Sequence, residues 1–285
     1  MKRGERALAV ALVAPALVVL AAVTLFPVLR VLLLSLERRV PVFGIEEFVG
    51  LRHYRFLAGD PVFWHAAGVT VTFTVLSVAL EVALGVAAAL ALHRLGRWRA
   101  VALGLVLLPW CLPGVVTARI WEWLYQPHVG LLSRVAGGVN WLGDPATALP
   151  ALVVADVWRT SPFVALLALA RLGTIPPALY EAAAVDGAGR SAVFRRVTLP
   201  LLAPVLLVAA LFRTLDALRA FDLIFVLTGG GPAGATETLT IHAYRSLFGT
   251  LQLGFGSAVA VIVFALVTAA AWGYLRAVEG REAAS

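Results

Sequence analysis

The sequence predicts an all-α integral membrane protein with six transmembrane helices. Hydrophobic residues make up 61% of its 285 residues, only 14% are charged, and the mean hydropathy is +0.93. Soluble domains carry about 25% charged residues, and a single soluble core could not bury this much apolar surface. The apolar residues also fall into six runs of suitable length, since about 20 residues cross a bilayer as a helix.

The first three spans follow from long apolar runs. The apolar run Ala7–Leu29 follows a basic start but is longer than the ~7–15-residue apolar core of a cleaved signal peptide, which favours an uncleaved first span. The second run is interrupted by Glu81, and the third contains Pro109 and Pro113. We expect the six spans at about residues 7–36, 66–92, 100–125, 149–172, 201–227 and 254–276 of a single domain, 1–285.

Two of the other three spans, the fourth and the fifth, carry several charges. The fourth contains Asp156 and Arg159, the fifth begins after Pro200 and has four charges in its second half, and the sixth is uncharged until its end. A charged side chain at membrane depth costs a few kcal/mol or more, so such groups usually face protein or a wet cavity. These charges therefore mark candidate functional positions.

Basic residues predict the orientation, because cytoplasmic loops carry an excess of Lys and Arg. On the side of the two termini lie Lys2, Arg3, Arg6, Arg94, Arg97, Arg99, Arg171, Arg190, Arg195, Arg196, Arg276 and Arg281. In the opposite loops lie Arg38, Arg39, Arg52, Arg55, Arg134 and Arg245. This bias places the N and C termini in the cytoplasm.

The longest predicted cytoplasmic loop, residues 173–200, has a local pattern of its own. Its alanine-rich segment Ala178–Val185 favours a helix, and Gly187 supplies a flexible turn. Ser191 is a plausible cap for a second short helix at Ala192–Val197. The pattern predicts a helix–turn–helix at the membrane surface; an ordinary alanine-rich interfacial helix is the alternative.

The residues Glu181-Ala182-Ala183, Gly187 and Val197-Thr198-Leu199-Pro200 have the spacing of the EAA motif, so the loop resembles that of binding-protein-dependent permeases; Val197 stands where the motif normally has Ile. The resemblance implies a type I ABC importer permease fold whose cytoplasmic coupling helices dock into a cleft on an ATPase subunit. It implies that Glu181 helps to fix the loop and that Gly187 allows its sharp turn. The residues it assigns to ATPase coupling are Glu181, Ala182, Ala183, Asp186, Gly187, Arg190, Leu199 and Pro200.

Further segments are similar to the carbohydrate branch of this family, the maltose/glycerol-3-phosphate type. They are Phe26-Pro27, Gly50–Tyr54, Trp158–Phe163 and Phe221–Pro232. The stretch Leu211–Asp222 is similar to the trehalose-importer permeases of mycobacteria. The resemblance implies import of trehalose or a related di- or oligosaccharide, with glycerol-3-phosphate or another polar solute as the alternative. The large periplasmic insertion of enterobacterial maltose permeases is missing, so nothing that depends on it is carried over.

Ionisable and aromatic residues at membrane depth are candidates for the substrate pathway. They are Glu81, Glu122, Asp156, Trp158, Arg159, Arg213, Asp216, Arg219 and Asp222. The last four follow one another at three-residue spacing, and each step drifts about 60° around a helix. We therefore expect the four not to face one pocket, and part of the series to pair structurally or contact a partner subunit. Trp158 fits an interfacial aromatic belt as well as a sugar contact.

Motifs for catalysis are missing from the sequence. The nearest pattern to a P-loop, Gly229–Gly234, is followed by Ala235 where a P-loop needs Lys. We also find no paired catalytic carboxylates, no metal-ligand spacing and no nucleophile elbow. We therefore expect a transport subunit that is not an enzyme and holds no cofactor or metal, with ATP and Mg²⁺ bound by partner ATPase subunits.

The resemblance also implies the partners and the membrane. They are a second permease subunit in a heterodimer, two ATPase subunits, an extracytoplasmic sugar-binding (lipo)protein and lipid, but no nucleic acid, in the bacterial plasma (inner) membrane. Two other classes compete with this interpretation. An ion-coupled secondary transporter would use Glu81 or Asp216 as a proton site, and an integral-membrane enzyme would need a catalytic group.

Overall fold

The fold is described from a computed structural model that covers the backbone of residues 3–282 and the side chains of residues 12–276. Lys2, used for the predicted orientation, lies outside the described residues, as do the side chains of Arg3, Arg6 and Arg281. The described chain is mostly helical, which confirms the predicted fold class. It also contains one two-stranded antiparallel hairpin, β1 (Glu37–Val40) and β2 (Ile45–Phe48), that the sequence did not predict.

Fourteen α-helices lie within the described residues. They are α1 (Arg3–Leu20), α2 (Phe26–Leu34), α3 (Arg52–Gly59), α4 (Pro61–His93), α5 (Arg99–Cys111), α6 (Gly114–Tyr125), α7 (Leu131–Val135), α8 (Pro145–Leu172), α9 (Pro177–Val185), α10 (Arg190–Val193), α11 (Leu199–Leu218), α12 (Asp222–Leu227), α13 (Leu239–Tyr244) and α14 (Leu253–Glu282). Single π-helical turns connect α1 to α2 and α10 to α11 and follow α13.

Five helical segments of the described chain are long and apolar enough to cross a membrane. They are Leu12–Leu34, Pro61–His93, Pro145–Leu172, Arg190–Leu218 and Leu253–Arg276. A sixth span is obtained when the bent pair Gly96–Cys111 and Gly114–Tyr125 is taken as one crossing.

Proline explains the bend between α5 and α6. Its two parts meet at 95°. Leu112, between them, is extended with ψ 135°, and Pro113 follows it. Proline disfavours helical geometry in the residue before it and cannot donate the helical hydrogen bond. The span predicted at about 100–125 therefore consists of two helices, α5 and α6.

The described chain separates into two units, the smaller of which contains the described residues up to Phe63 together with His242–Phe264. Here the hairpin pairs Glu37 with Phe48, and Arg39 bonds Glu46 across it at 2.8 Å. The ring of Phe255 lies edge-on against three others, those of His53, Phe56 and His242. Arginine, aromatic and histidine side chains are thus gathered beside the hairpin.

The larger unit, Trp64–Ile241 and the described residues from Ala265 onward, is organised around α8. In α8, 61% of the most apolar 18-residue window is buried, the highest share among the candidate spans. Asp144 begins the helix by accepting a hydrogen bond from the Ala146 amide at 2.8 Å. One buried cluster lies toward the N-terminal half of α8 and includes Trp121 and Ile224; a second lies toward its C-terminal half and includes Leu202.

A glycine allows α4 to approach α8 closely. A Cβ placed on Gly85 would lie 2.6 Å from Cβ of Val164, well inside van der Waals contact. The residues one turn earlier on each helix are Glu81 and Thr160, and their side chains are hydrogen bonded at 2.6 Å. The close approach therefore lies directly beside the charges of the membrane region.

The fifth span is interrupted before its predicted end. Helix α11 stops at Leu218, Arg219 has a φ of −111°, and α12 begins at Asp222. The carbonyl of Ala220 accepts a hydrogen bond from Thr240 Oγ1 at 2.7 Å, which holds the break. The four charges predicted on one continuous helix thus lie on two helices and the turn between them.

Candidate translocation cavity and coupling loop

A cavity of about 380 Å³ opens between α8, α11 and α12, and we call it the central cavity. Charged residues dominate its lining. They are Asp156, Arg159, Arg213, Asp216, Arg219 and Asp222. Trp110, Gly114, Thr160 and Phe221 also line it. The structure thus brings six of the nine candidate pathway residues to one cavity.

Arg213 is the centre of a buried charge cluster. Its guanidinium donates two hydrogen bonds to Glu81, from Nε at 2.6 Å and from Nη2 at 2.9 Å. Nη2 also donates to Asp156 Oδ2 at 3.1 Å, and Thr160 Oγ1 donates to Glu81 Oε1 at 2.6 Å. Glu81, Asp156, Thr160 and Arg213 are all buried, and we call them the buried cluster. Buried charges of this kind are tolerated only when they are paired and hydrogen bonded.

A more exposed pair continues from the buried cluster to the cavity wall. Asp216 lies 3.5 Å from Arg213 Nη1 and accepts a hydrogen bond from Arg219 at 2.7 Å. The side chains of Asp216 and Arg219 are 51% and 64% exposed. The side chain of Asp222, the first residue of α12, makes no hydrogen bond or ion pair with another residue of the described chain. The charges thus pass from fully buried to open along the cavity.

The expectation that Arg213, Asp216, Arg219 and Asp222 cannot share a pocket is wrong, since all four line the central cavity. The 60° drift applies only to an unbroken helix, and α11 ends before Arg219. The turn at Arg219–Phe221 changes the direction of the chain and returns Asp222 to the cavity. Sequence spacing gave no signal for this break.

Three of the nine candidates lie outside the cavity lining. Glu81 lies behind it, bonded to Arg213. Glu122 pairs with Arg119 at 2.6 Å one turn away on α6, with 40% of its side chain exposed. Trp158 packs edge-on against Trp121, with ring centroids 5.8 Å apart. Sequence reasoning missed the two aromatic residues that do line the cavity, Trp110 and Phe221. No charged residue lies within four positions of Trp110, whereas Phe221 directly precedes Asp222, a signal that was visible.

The segment 173–200, which we call the coupling loop, forms a helix–turn–helix. Pro177 opens α9, where its missing amide is tolerated, and α9 ends at Val185. Gly187 follows with a φ of +70°, a left-handed conformation that other residues adopt at a cost. The second helix begins at Arg190 and continues through a π turn into α11.

One detail of the predicted loop is wrong. Gly189, without any side-chain bond, occupies the N-cap position that was expected for Ser191. The hydroxyl of Ser191 instead accepts a hydrogen bond from Arg195 Nη2 at 3.0 Å. The helix therefore begins two residues earlier than predicted.

The surface of the coupling loop is open. Most of the residues assigned to coupling are exposed: Glu181, Ala182, Asp186, Gly187, Arg190, Leu199 and Pro200; Ala183 is half-buried. The side chains of Glu181, Asp186 and Arg190 make no hydrogen bond or ion pair within the described chain. Val185, at the tip of α9, is 87% exposed. Sequence reasoning missed Val185, although an apolar residue just before Asp186-Gly187 was visible.

Several membrane spans, a charged cavity among them and an exposed helix–turn–helix loop are features expected of the membrane subunit of a transport system. The chain belongs to the family of binding-protein-dependent transport system inner membrane components, whose model matches residues 81–281. It is thus a membrane permease component, and the predicted family is confirmed.

Relatives cover nearly the whole chain. The trehalose/maltose transport system permease protein MalF of Thermococcus litoralis is 42% identical over 97% of this chain and 95% of its own length. The trehalose transport system permease protein SugA of Mycobacterium tuberculosis is 38% identical over 96% of this chain and 90% of its own. The sulfoquinovosyl glycerol transport system permease protein SmoG of Agrobacterium fabrum is 38% identical over 98% and 92%.

Solved structures share the fold. A chain of a bacterial alginate ABC transporter, crystallised with an alginate pentasaccharide-bound periplasmic protein, has a TM-score of 0.81 at 21% identity. The match covers 95% of this chain and 93% of that one. A chain of the MetNI methionine ABC transporter gives a TM-score of 0.58 over 78% of this chain. The type I ABC importer permease fold is thereby confirmed.

Proposed function

We propose that the chain is one of two permease subunits of an ATP-driven, binding-protein-dependent sugar importer in a bacterial plasma membrane, with both termini in the cytoplasm. The observation that carries the proposal is the coupling loop. It presents the unpaired carboxylates of Glu181 and Asp186 and an 87% exposed Val185 between two membrane spans. An exposed apolar tip beside unpaired charges is the surface that a docking partner covers.

The docking partner is an ATPase subunit, one of two that bind ATP and Mg²⁺. The chain itself carries no nucleotide-binding motif, so it acts as a mechanical subunit rather than an enzyme. Helix α9, held between Pro177 and the turn at Gly187, transmits closure of the ATPase pair to α8 and α11. The spans then move as rigid bodies and alternate access to the cavity.

A sister permease completes the pathway, and a sugar-binding protein delivers the substrate from outside. The most apolar window of the first span, Leu12–Leu34, has no buried residue within this chain. Asp216 and Arg219, both more than half exposed, leave one side of the central cavity open. Both features support a heterodimer in which the second permease forms the missing wall.

The substrate is trehalose or a related di- or oligosaccharide. Carboxylates and guanidinium groups bind sugar hydroxyls, and aromatic rings such as that of Trp110 pack on apolar sugar faces. Three Asp and three Arg line the cavity, and Glu81 bonds one of these arginines from behind, so the group has no positive excess for an anion. This balance favours an uncharged sugar over glycerol-3-phosphate, and two of the relatives are trehalose permeases by name.

Reconstitution of the complete transporter in liposomes tests the proposal. We expect the loaded binding protein to stimulate ATP hydrolysis. Labelled trehalose should accumulate inside the liposomes only when ATP is enclosed in the lumen, on the side of the membrane that carries the ATPase subunits. Accumulation of glycerol-3-phosphate in place of trehalose would retain the importer and reject the sugar. Uptake that follows a proton gradient without ATP would instead establish the ion-coupled alternative.

A further inference from the structure

A second cavity, of about 640 Å³, lies where the coupling loop meets the ends of two spans, and we call it the loop cavity. The end of α4 contributes His93 and Arg94, and the end of α8 contributes Leu172. The loop contributes Tyr180, Arg190 and Phe194. The cavity thus joins two membrane spans to the loop, and no part of the translocation pathway described above uses it.

The charged groups of the loop cavity all carry the same sign. Arg94 and Arg190 line it, and no acidic residue does. Neither guanidinium makes a hydrogen bond or an ion pair within the described chain. Other arginines of the same surface are engaged: Arg171 bonds the Leu201 carbonyl at 3.1 Å, and Arg195 bonds Ser191. Two unpaired guanidinium groups beside one cavity favour an anion.

The rest of the lining is apolar. Leu172 is buried, and Val193 and Phe194 are half-buried. The hydroxyl of Tyr180, 3.5 Å from Thr198 Oγ1, is the polar group between the apolar wall and the loop. A fully hydrated inorganic ion gains no binding free energy from contact with an apolar wall. A lipid, in contrast, carries an anionic phosphate directly above its glycerol and acyl chains.

We propose that the loop cavity binds the phosphate head group of an anionic phospholipid. Arg94 and Arg190 pair with the phosphate, and the wall formed by Leu172, Val193 and Phe194 packs against the glycerol and upper acyl carbons. Basic pockets between spans at the cytoplasmic surface are typical sites for such head groups. The inference depends on the proposed function only for placing this end of the molecule at the cytoplasmic leaflet.

The bound lipid would connect α4 to the coupling loop. Arg94 directly follows α4, and Arg190 begins the second loop helix, so one phosphate held by both restrains the loop against the span. We expect coupling between the ATPase and the permease to be stronger in bilayers that contain anionic lipid. Zwitterionic lipid has a neutralised head group and should not replace it.

The test compares the assembled transporter in nanodiscs of phosphatidylcholine with and without phosphatidylglycerol. Native mass spectrometry after transfer to detergent measures the retained lipid. We expect Arg94→Gln to weaken retention of phosphatidylglycerol about fivefold, the effect of one basic residue near an anionic surface. The matched control is Arg97→Gln, because Arg97 lies three residues on, packs over the Trp98 ring at 5.5 Å and does not line the cavity. It should retain the lipid.

Several outcomes overturn the proposal: equal retention of the two lipids, equal loss in both variants, or full replacement of the lipid effect by inorganic phosphate. Loss of co-purified ATPase in Arg94→Gln at unchanged lipid retention would show that an acidic residue of the ATPase occupies the cavity. If Arg94→Gln does not assemble, Ala188→Leu fills the cavity without altering charge and should also reduce retention. Failure of the proposed importer function is separate, since the unmodified complex would then show no stimulated ATP hydrolysis in either lipid.

Discussion

The coupling loop and the buried cluster reach a defined geometry by opposite means. The loop is contiguous, is exposed, and takes its shape from local features, Pro177 at its first helix and the left-handed Gly187. The buried cluster joins α4, α8 and α11 through residues up to 132 positions apart, and its shape exists only when the spans pack. Damage to the first should therefore leave a folded, uncoupled protein, whereas damage to the second should leave little folded protein.

The largest effect is expected for Arg213→Met. It leaves Glu81 and Asp156 buried without their cation, and breaking such a pair costs about 3–5 kcal/mol. The yield of monodisperse complex and its midpoint of thermal unfolding measure the loss. Addition of Glu81→Gln to Arg213→Met should restore part of the stability. A normal yield of the single variant would show that the two regions do not differ as described.

A smaller effect, on docking rather than folding, is expected for Val185→Asp. An apolar side chain of this size contributes about 1.5–3 kcal/mol when fully buried, so affinity for the ATPase should fall at least tenfold. Co-purification of the ATPase with the permease measures it. Val135→Asp is the matched control, since Val135 is 80% exposed on α7, outside the loop.

Next in size is Gly187→Val. A left-handed conformation costs about 1–2 kcal/mol for a residue with a Cβ, and more for a β-branched one, so the turn should relax and the second loop helix should shift. ATP hydrolysis should become insensitive to the loaded binding protein while thermal stability stays close to normal. Gly189→Ala is the control, because Gly189 has an ordinary φ of −68° and open space around it. Equal loss in both variants contradicts the role of the turn.

Asp216→Asn should affect transport more than assembly. The Asp216–Arg219 pair is more than half exposed, and exposed pairs contribute about 0–1 kcal/mol to stability. Asp216→Asn removes the charge and replaces one of the two acceptor oxygens with an NH2 donor, which weakens binding of sugar hydroxyls in the central cavity and should reduce uptake several-fold at unchanged expression. Normal uptake by a well-expressed variant would reject a substrate role for this residue, and Arg219→Gln offers an independent measurement of the same kind.

The smallest effect is expected for Glu122→Gln. The Arg119–Glu122 pair is exposed and lies outside the central cavity. Both uptake and thermal stability should remain close to those of the unmodified protein. A strong loss of uptake would show that Glu122 belongs to the substrate pathway, as the sequence predicted. It would also mean that the sister permease encloses a cavity larger than the one within this chain.

The coupling loop could be predicted from the sequence, whereas the buried cluster could not. The loop helix at Pro177–Val185 and the turn at Gly187 were readable, because Pro, Gly and Ala act on their own neighbours. The bond between Glu81 and Arg213 was not readable, because no local rule selects a partner 132 positions away. The end of α11 before Arg219 was not readable either, because the hydrogen bond to the Ala220 carbonyl comes from Thr240 Oγ1, twenty residues further along the chain in α13.

The geometry of the central cavity depends on Gly85 having no Cβ, because α4 and α8 approach closely at this residue. A methyl group there would push α4 from Val164 and carry Glu81 away from Thr160 and Arg213. Anyone who redesigns this permease for a new solute can therefore vary the open wall at Asp216, Arg219 and Asp222, but should leave the packing seam behind it untouched. The close packing of α4 against α8 therefore limits which substitutions the site tolerates more than the charges of the cavity do.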